Sequence, residues 1–178
     1  MADHTEELLV TRRFRVVRHV QIGPDGAEHI KETIQHPGAV AILPLLDDGR
    51  VCLIHNYRIA VGKTLIELPA GTLEPGEDPA ATAGRELIEE TGYRAKRLEK
   101  LCEFSMSPGI LNEQMHLYAA HGLTAGPTAR EAGETIENLV VAWDEAMQMV
   151  FDGTIEDAKT LVGLLYYDRM RQVIEHGR

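Results

Sequence analysis

Residues 8–22 (LLVTRRFRVVRHVQI) alternate apolar and polar side chains and are rich in β-branched residues, the pattern of a strand with one covered face. Gly23-Pro24-Asp25-Gly26 follows as a turn, and residues 27–36 can return as the partner strand, which predicts an N-terminal β hairpin. The pattern changes after Pro37. Residues 39–46 form a nearly continuous apolar run, the mark of a strand buried on both faces. Asp47-Asp48-Gly49 turns the chain into a second such run at 51–57. A short third strand at 64–68 ends in Pro69-Ala70-Gly71, and 98–104, 115–121 and 139–143 predict further strands. Between them, Asp78 suits the N-cap of a helix, Pro79 its first turn and Gly92 its left-handed end. Ala80, Gly84, Leu87 and Thr91 share one face of this helix, which can press closely onto a sheet, and Gly84 is tolerable there for that reason. A second helix is predicted over 144–151, ended by Gly153. Thr154-Ile155-Glu156-Asp157 resembles a capping box opening a long helix to about residue 175. Mixed strands with helices on two sides indicate an α/β/α sandwich with a mixed sheet. Residues 1–37 form an N-terminal β element, and 38–178 form the main domain.

The other face of the helix that ends at Gly92 carries Glu86, Glu89 and Glu90. On an α-helix, Glu89 lies about 60° to one side of Glu86 and Glu90 about 40° to the other. Three carboxylates so close repel one another at neutral pH, an arrangement that makes sense if a divalent cation sits over them. Oxygen ligands of this kind suit Mg²⁺, with Mn²⁺ as the alternative.

The fixed spacing is wider than the helix. It runs from Gly71 through Glu77 to Arg85, Glu86, Glu89, Glu90 and Gly92, and ends on Tyr93. This pattern resembles the Nudix box, the signature of hydrolases that cut nucleoside diphosphates linked to another group. Tyr93 departs from the branched aliphatic usual at the last place. The resemblance implies that Glu86 and Glu90 are metal ligands and Glu89 a ligand or water-orienting group. It makes the carbonyl of Ala70 a further ligand. Arg85 is expected to hold a neighbouring glutamate in place, and Glu77 to tie the loop to the helix. Asn56-Tyr57-Arg58, Glu67-Leu68-Pro69-Ala70-Gly71 and Pro108, sixteen residues beyond Gly92, are similar to the ADP-ribose pyrophosphatase branch. That branch implies a substrate-binding role for Arg58, Pro108 and Glu113. It also implies a catalytic base on the segment 126–138, for which Glu134 is the first choice and Glu131 the second; Glu137 is also on that segment. The implied reaction is hydrolysis of ADP-ribose to AMP and ribose 5-phosphate. The alternatives are another nucleotide sugar such as GDP-mannose, or a non-catalytic ADP-ribose-binding sensor. A homodimer is implied, with the N-terminal element swapped onto the partner to help build the adenine pocket. That element has no tryptophan, so Phe14 is the candidate to stack a base; Trp143 is the single tryptophan of the chain.

Charge and composition narrow the picture further. The formal charge is −10, which argues against nucleic acid and anionic membranes as partners, while a bound cation still permits a phosphorylated substrate. Arg12, Arg13, Arg15 and Arg18 are a local basic exception, most of them expected to lie on a solvated strand face, with the alternative that one or two reach a substrate phosphate. Cys52 and Cys102 have no pairing or metal spacing and read as buried free thiols. No apolar run approaches the roughly 20 residues of a membrane span, and the MADHTEE start lacks a signal-peptide pattern, so a cytoplasmic protein is expected. Gly62-Lys63-Thr64 is not a phosphate-binding loop, because position 57 is Tyr where that loop needs Gly.

Overall fold

A computed structural model describes residues 4–130 and 135–176. The N-terminal region is a three-stranded antiparallel sheet, not a two-stranded hairpin. Its strands are β1 (His4–Val10), β2 (Arg15–Ile22) and β3 (Glu28–Gln35), in the order β1-β2-β3. The alternating run at 8–22 is broken because Thr11 makes a tight turn. Its hydroxyl accepts from the Phe14 N–H at 2.9 Å and donates to the Phe14 carbonyl at 2.7 Å. This local alternative to a ladder outcompetes strand continuation across the polar Arg12-Arg13 pair. Arg15 pairs with Glu7, and Arg18 with both Glu6 and Glu32, so half of the basic stretch is neutralised within its own sheet.

The main domain is built on β4 (Ala39–Pro44), buried along its whole length. It runs parallel to β10 (Gln114–His121), which is antiparallel to β9 (Arg97–Ser105). The short β7 (Ala70–Thr72) adds antiparallel to the other edge of β4, giving a mixed sheet in the order β7-β4-β10-β9. A second, antiparallel sheet has the order β12-β5-β6, from β5 (Arg50–Arg58), β6 (Lys63–Glu67) and β12 (Ile136–Ala142). Two minimal strands, β8 (Tyr93–Arg94) and β11 (Thr124–Ala125), pair with each other. Residues alternate across β4, so its two faces feed two cores. Ala39, Ala41 and Leu43 pack with Leu53, Leu68, Val141, Trp143 and Leu164. Val40 and Ile42 pack with Ala83, Leu87 and Tyr118 under helix α1 (Pro79–Glu86). Helices α2 (Trp143–Phe151) and α3 (Ala158–His176) serve the first core, so the layered α/β arrangement matches the sequence expectation.

Helix boundaries differ from expectation in two places. Asp78 does cap α1, accepting from the Ala81 N–H at 3.1 Å with Pro79 in the first turn. The α geometry stops at Glu86, however, and Leu87–Thr91 continues as a π-turn before Gly92. The i→i+5 bonding of a π-turn takes in one extra residue, so the α-helical angles do not describe Glu89 and Glu90. The long C-terminal helix begins at Ala158, not at Thr154. Asp157 is its cap, accepting from the Thr160 N–H at 3.0 Å, which removes the role expected of Thr154. The helix face that carries Ala80 and Leu87 does pack on the sheet, with Val40 and Ile42, and a Cβ on Gly84 would lie 3.7 Å from Leu98, an ordinary contact.

Cys52 is buried and Cys102 half-buried, and both are free thiols; burial pushes the Cys52 thiol up to about 12. Among the described residues no helix is long and apolar enough to cross a membrane.

Candidate active site on the helix after Gly71

The register of β4 gathers the site's parts. Ala39 pairs with Thr72 of β7 on one side and with Met115 of β10 on the other. The Gly71 segment and the Ser107-Pro108-Gly109 turn, which leads into β10, therefore flank the same end of one buried strand. Gly71 lies against Glu86. A Cβ placed on Gly71 would be 1.9 Å from the Glu86 Cδ and 2.0 Å from its Oε1, so only glycine leaves the carboxylate where it is. Glu90 is buried and accepts from the Ala70 N–H at 2.9 Å. The chain thus holds two of the three glutamates against the strand segment that carries Ala70 and Gly71.

Arg85 organises the exposed side. Its Nε and Nη2 each donate to Glu77 at 3.2 Å, and its Nη1 donates to Glu86 at 2.7 Å and Glu89 at 3.0 Å. Glu77 also accepts from the Glu74 N–H at 3.2 Å, so Glu77 bonds both its own loop and the helix residue Arg85. The Arg85 hydrogen bonds, followed by that of Glu74, hold the Glu77 carboxyl down to about 2. Among the described residues no three carboxylate, imidazole or thiolate groups stand at metal-ligand geometry. The donors fit a hard divalent cation by type and by their place beside one glycine cradle. They are not a ready-made cage, and Arg85 now bonds oxygens of both Glu86 and Glu89.

The end of the π-turn is tied to β12 and to the segment that precedes it. The Ala129 N–H donates to the Glu89 carbonyl at 3.0 Å, Arg130 Nε to the Glu90 carbonyl at 3.0 Å, and Asn138 Nδ2 to the Thr91 carbonyl at 2.8 Å. These donors satisfy carbonyls that a helix terminus otherwise leaves without partners. Gly92 closes the turn with φ of 78°, and a Cβ on it would meet the Gly126 carbonyl oxygen at 2.3 Å. Glu131 and Glu134, the two choices for the base, lie outside the described residues. Glu137 is on β12, opposite His55 of β5.

Arg58 does not stand alone. Its Nε and Nη2 grip both oxygens of Glu67 at 2.8 and 2.5 Å. Glu67 is fully buried and also accepts from Lys159 Nζ at 2.7 Å. Burial pushes the Glu67 carboxyl up, but Arg58 and Lys159 together outweigh it and leave it below the usual carboxylate range. The Arg58 side chain remains 42% exposed, and its guanidinium is held in its charged form first by the hydrogen bond to Glu67, with the Glu90 charge adding to this. Pro108 is exposed in its turn, where the Ile110 N–H donates to the Ser107 carbonyl at 3.0 Å. That turn is anchored to β3 by the Ile34 N–H on the Ile110 carbonyl, at 2.8 Å. Glu113 pairs with His36 at 3.5 Å. Trp143 is in the first core, with Tyr167 edge-on at 5.4 Å and its Nε1–H on Asp168 at 3.0 Å. Phe14 sits at the exposed β1–β2 turn.

Sequence reasoning missed Arg130, Asn138, Lys159 and Thr160. A lone Arg, Asn, Lys or Thr has no spacing signal, and each acts on residues far away in the chain. Glu67 was visible within its motif, but its buried ion pairs were not.

Known proteins resemble this chain in sequence and in fold. The NUDIX domain family model matches residues 35–162. The chain is 39% identical over 145 residues to "ADP-ribose pyrophosphatase" of Bacillus subtilis, covering 80% of this chain and 78% of that one. It is 37% identical over 155 residues to "Methanol dehydrogenase activator" of Bacillus methanolicus, covering 86% and 83%. A crystal structure of an ADP compounds hydrolase shares the fold with a TM-score of 0.82 and 23% identity, covering 98% of this chain and 94% of the other. The matched span holds both the strand that cradles the helix and the helix that carries the glutamates, and the chain belongs to the Nudix family, as a pyrophosphohydrolase of the ADP-ribose pyrophosphatase branch.

Proposed function

We propose that this protein hydrolyses the diphosphate of ADP-ribose to AMP and ribose 5-phosphate, with Mg²⁺ as the cofactor and Mn²⁺ as its substitute. The observation that carries this reading is the cradle: Gly71 lacks the Cβ that would strike Glu86, while the Ala70 N–H holds the buried Glu90. Glu86, Glu89 and Glu90, with the carbonyl of Ala70, are the residues that would hold the metal. A divalent cation there neutralises diphosphate charge and makes a water more acidic. Arg85 would release Glu86 and Glu89 when the cation binds, while keeping its grip on Glu77. Arg58 offers its half-exposed guanidinium to a substrate phosphate, and Glu67 fixes its orientation. The turn at Pro108, together with Glu113, would border the terminal ribose. Glu134, or Glu131 in its place, would take the proton of the attacking water. The water oxygen bonds to one phosphorus, the bridging P–O bond breaks, and the leaving phosphate carries the bridging oxygen.

The reading includes a homodimer in the cytoplasm. Every residue of β1 is exposed in the single chain, including Leu9 at 51% and Val10 at 57%. Ile30 of β3 is also exposed, at 54%, on the sheet face that carries Leu9. Exposed, flat apolar strands are ready to pair or be covered, and a second copy would cover them. Phe14, beside them, would then be placed to help form the adenine pocket.

The test is product release from ADP-ribose, GDP-mannose, UDP-glucose and a diadenosine polyphosphate, each with Mg²⁺ and with EDTA. The fastest metal-dependent turnover on ADP-ribose, yielding AMP, is expected. Faster turnover of GDP-mannose would replace the substrate assignment. Binding of ADP-ribose without hydrolysis under any condition would point to the sensor reading.

A further inference from the structure

The start of α3 is joined to the residues before the cradle by two polar links that each span 92 positions of sequence. Lys159 Nζ donates to Glu67 Oε2 at 2.7 Å, and the Thr160 hydroxyl accepts from the Leu68 N–H at 2.7 Å. The same hydroxyl donates to Asp157 at 2.5 Å, and Asp157 also lies 3.0 Å from Lys159 Nζ. An alternating row of charges, Asp157, Lys159, Glu67 and Arg58, therefore runs from the cap of α3 to the half-exposed guanidinium. Lys159 and Glu67 lie at its buried centre, with side chains 7% and 1% exposed. A third contact is steric: a Cβ on Gly163 would fall 2.5 Å from the Leu68 side chain, so α3 presses its backbone onto that residue. From Leu68 the chain needs only two more residues to reach Ala70, whose N–H holds Glu90, and three to reach Gly71, which receives Glu86.

The geometry points to Lys159 as a positioning residue for the active site, acting through Glu67 on two groups at once. It fixes the backbone from Glu67 to Gly71 against the glutamate helix. It also gives the Glu67 carboxylate a second cationic hydrogen-bond donor, so that Glu67 stays in place to orient the Arg58 guanidinium toward a phosphate. A buried carboxylate with one cation in place of two would draw Arg58 inward and leave Glu67 without one of its hydrogen-bond donors. This inference rests on the metal and phosphate roles proposed above.

The experiment compares Lys159→Met, Lys159→Arg and a control, Ala146→Gly, in the full chain. Ala146 is buried in α2 and takes no part in the row of charges. Each protein is assayed for kcat and KM on ADP-ribose and for Mn²⁺ affinity by electron paramagnetic resonance without substrate. Amide hydrogen exchange across residues 67–71 is also followed. All measurements are made well below each melting temperature. Lys159→Met is expected to lower kcat at least tenfold, raise KM, weaken Mn²⁺ binding severalfold and speed exchange at 67–71. Lys159→Arg is expected to recover part of each, and Ala146→Gly to change stability alone. The inference is overturned if Lys159→Met keeps kcat, KM and Mn²⁺ affinity within threefold of wild type, or if Ala146→Gly loses them equally. If Lys159→Met does not fold, Thr160→Val, which removes the acceptor for the Leu68 N–H, is judged on the same thresholds for kcat, Mn²⁺ affinity and exchange. Wild-type activity on another nucleoside diphosphate sugar would sink only the substrate assignment, and the variants would then be compared on that substrate. A wild type that neither binds Mn²⁺ nor hydrolyses any of these substrates would overturn the metal site and this inference together.

Discussion

Consider Gly71→Ala. The added methyl carbon would lie 1.9 Å from Glu86 Cδ and 2.4 Å from its Cγ. Relief to an ordinary contact of about 3.5 Å demands a movement of about 1.6 Å. Two groups could move. Gly71 is pinned in β7 by its pairing with Val40, and Val40 is fully buried. Glu86 is a flexible side chain held by Arg85 among other contacts, and it is the one that yields. Loss of the partly exposed ion pair with Arg85 costs about 0.5 kcal/mol. For a chain of this size that lowers Tm by about 2 °C. The cost to activity is much larger, because a displacement near 1 Å at a reacting centre can cost about a hundredfold. Gly71→Ala should therefore keep its fold and nearly its melting temperature while kcat/KM on ADP-ribose falls about a hundredfold. Calorimetry and a product-release assay on one preparation check both halves. Activity within threefold of wild type would refute the placement of Glu86 in the site. A large loss of Tm would show that the strand, and not the side chain, gives way.

Other outcomes follow from the same geometry. Glu90→Gln retains an oxygen for the Ala70 N–H but loses the charge, so turnover should fall by orders of magnitude with circular dichroism unchanged; near-normal kcat would remove Glu90 from the metal site. Glu134→Gln should lower kcat more than it raises KM, and the same loss from Glu131→Gln alone would transfer the role of base. Glu77 is held down to about 2 in the folded protein, below an ordinary carboxyl near 4.5, so the stability it contributes is complete above about pH 4.5 and fades as pH falls toward 2. In Glu77→Gln, melting temperature should therefore depend less steeply on pH across that window, and an unchanged slope would contradict the Arg85 pairing. Val10→Asp, with Leu9→Asp, should convert a dimer to a monomer in light scattering; a wild type that is already monomeric would dispose of the proposed interface.

Much of the active helix was legible from spacing because its constraints are local. An N-cap, a first-turn proline and a left-handed glycine act within one or two turns, and Asp78, Pro79 and Gly92 do what their positions imply. The buried strands were equally plain, since β4 must be apolar on both faces to separate two cores. Gly71, Glu77 and Arg85 could be placed by motif, and Glu77 pairs with Arg85. Thr154 misled because the capping-box pattern is common, and Asp157 competes three residues on with a carboxylate that reaches the Thr160 N–H.

What the chain determines alone, then, is the set of elements and which residues share the helix that follows Gly71, because short-range sterics and periodic burial act on neighbours in sequence. Tertiary structure decided the rest. The π-turn that reorients Glu89 and Glu90 depends on Ala129, Arg130 and Asn138 meeting its carbonyls from a distant segment. The position of the Arg58 guanidinium is set by Glu67 and, beyond it, by Lys159, which is 92 residues away from Glu67. Neither has a periodic signature, because a hydrogen bond or ion pair across the fold depends on where two backbones come to rest, and that depends on packing summed over the whole core.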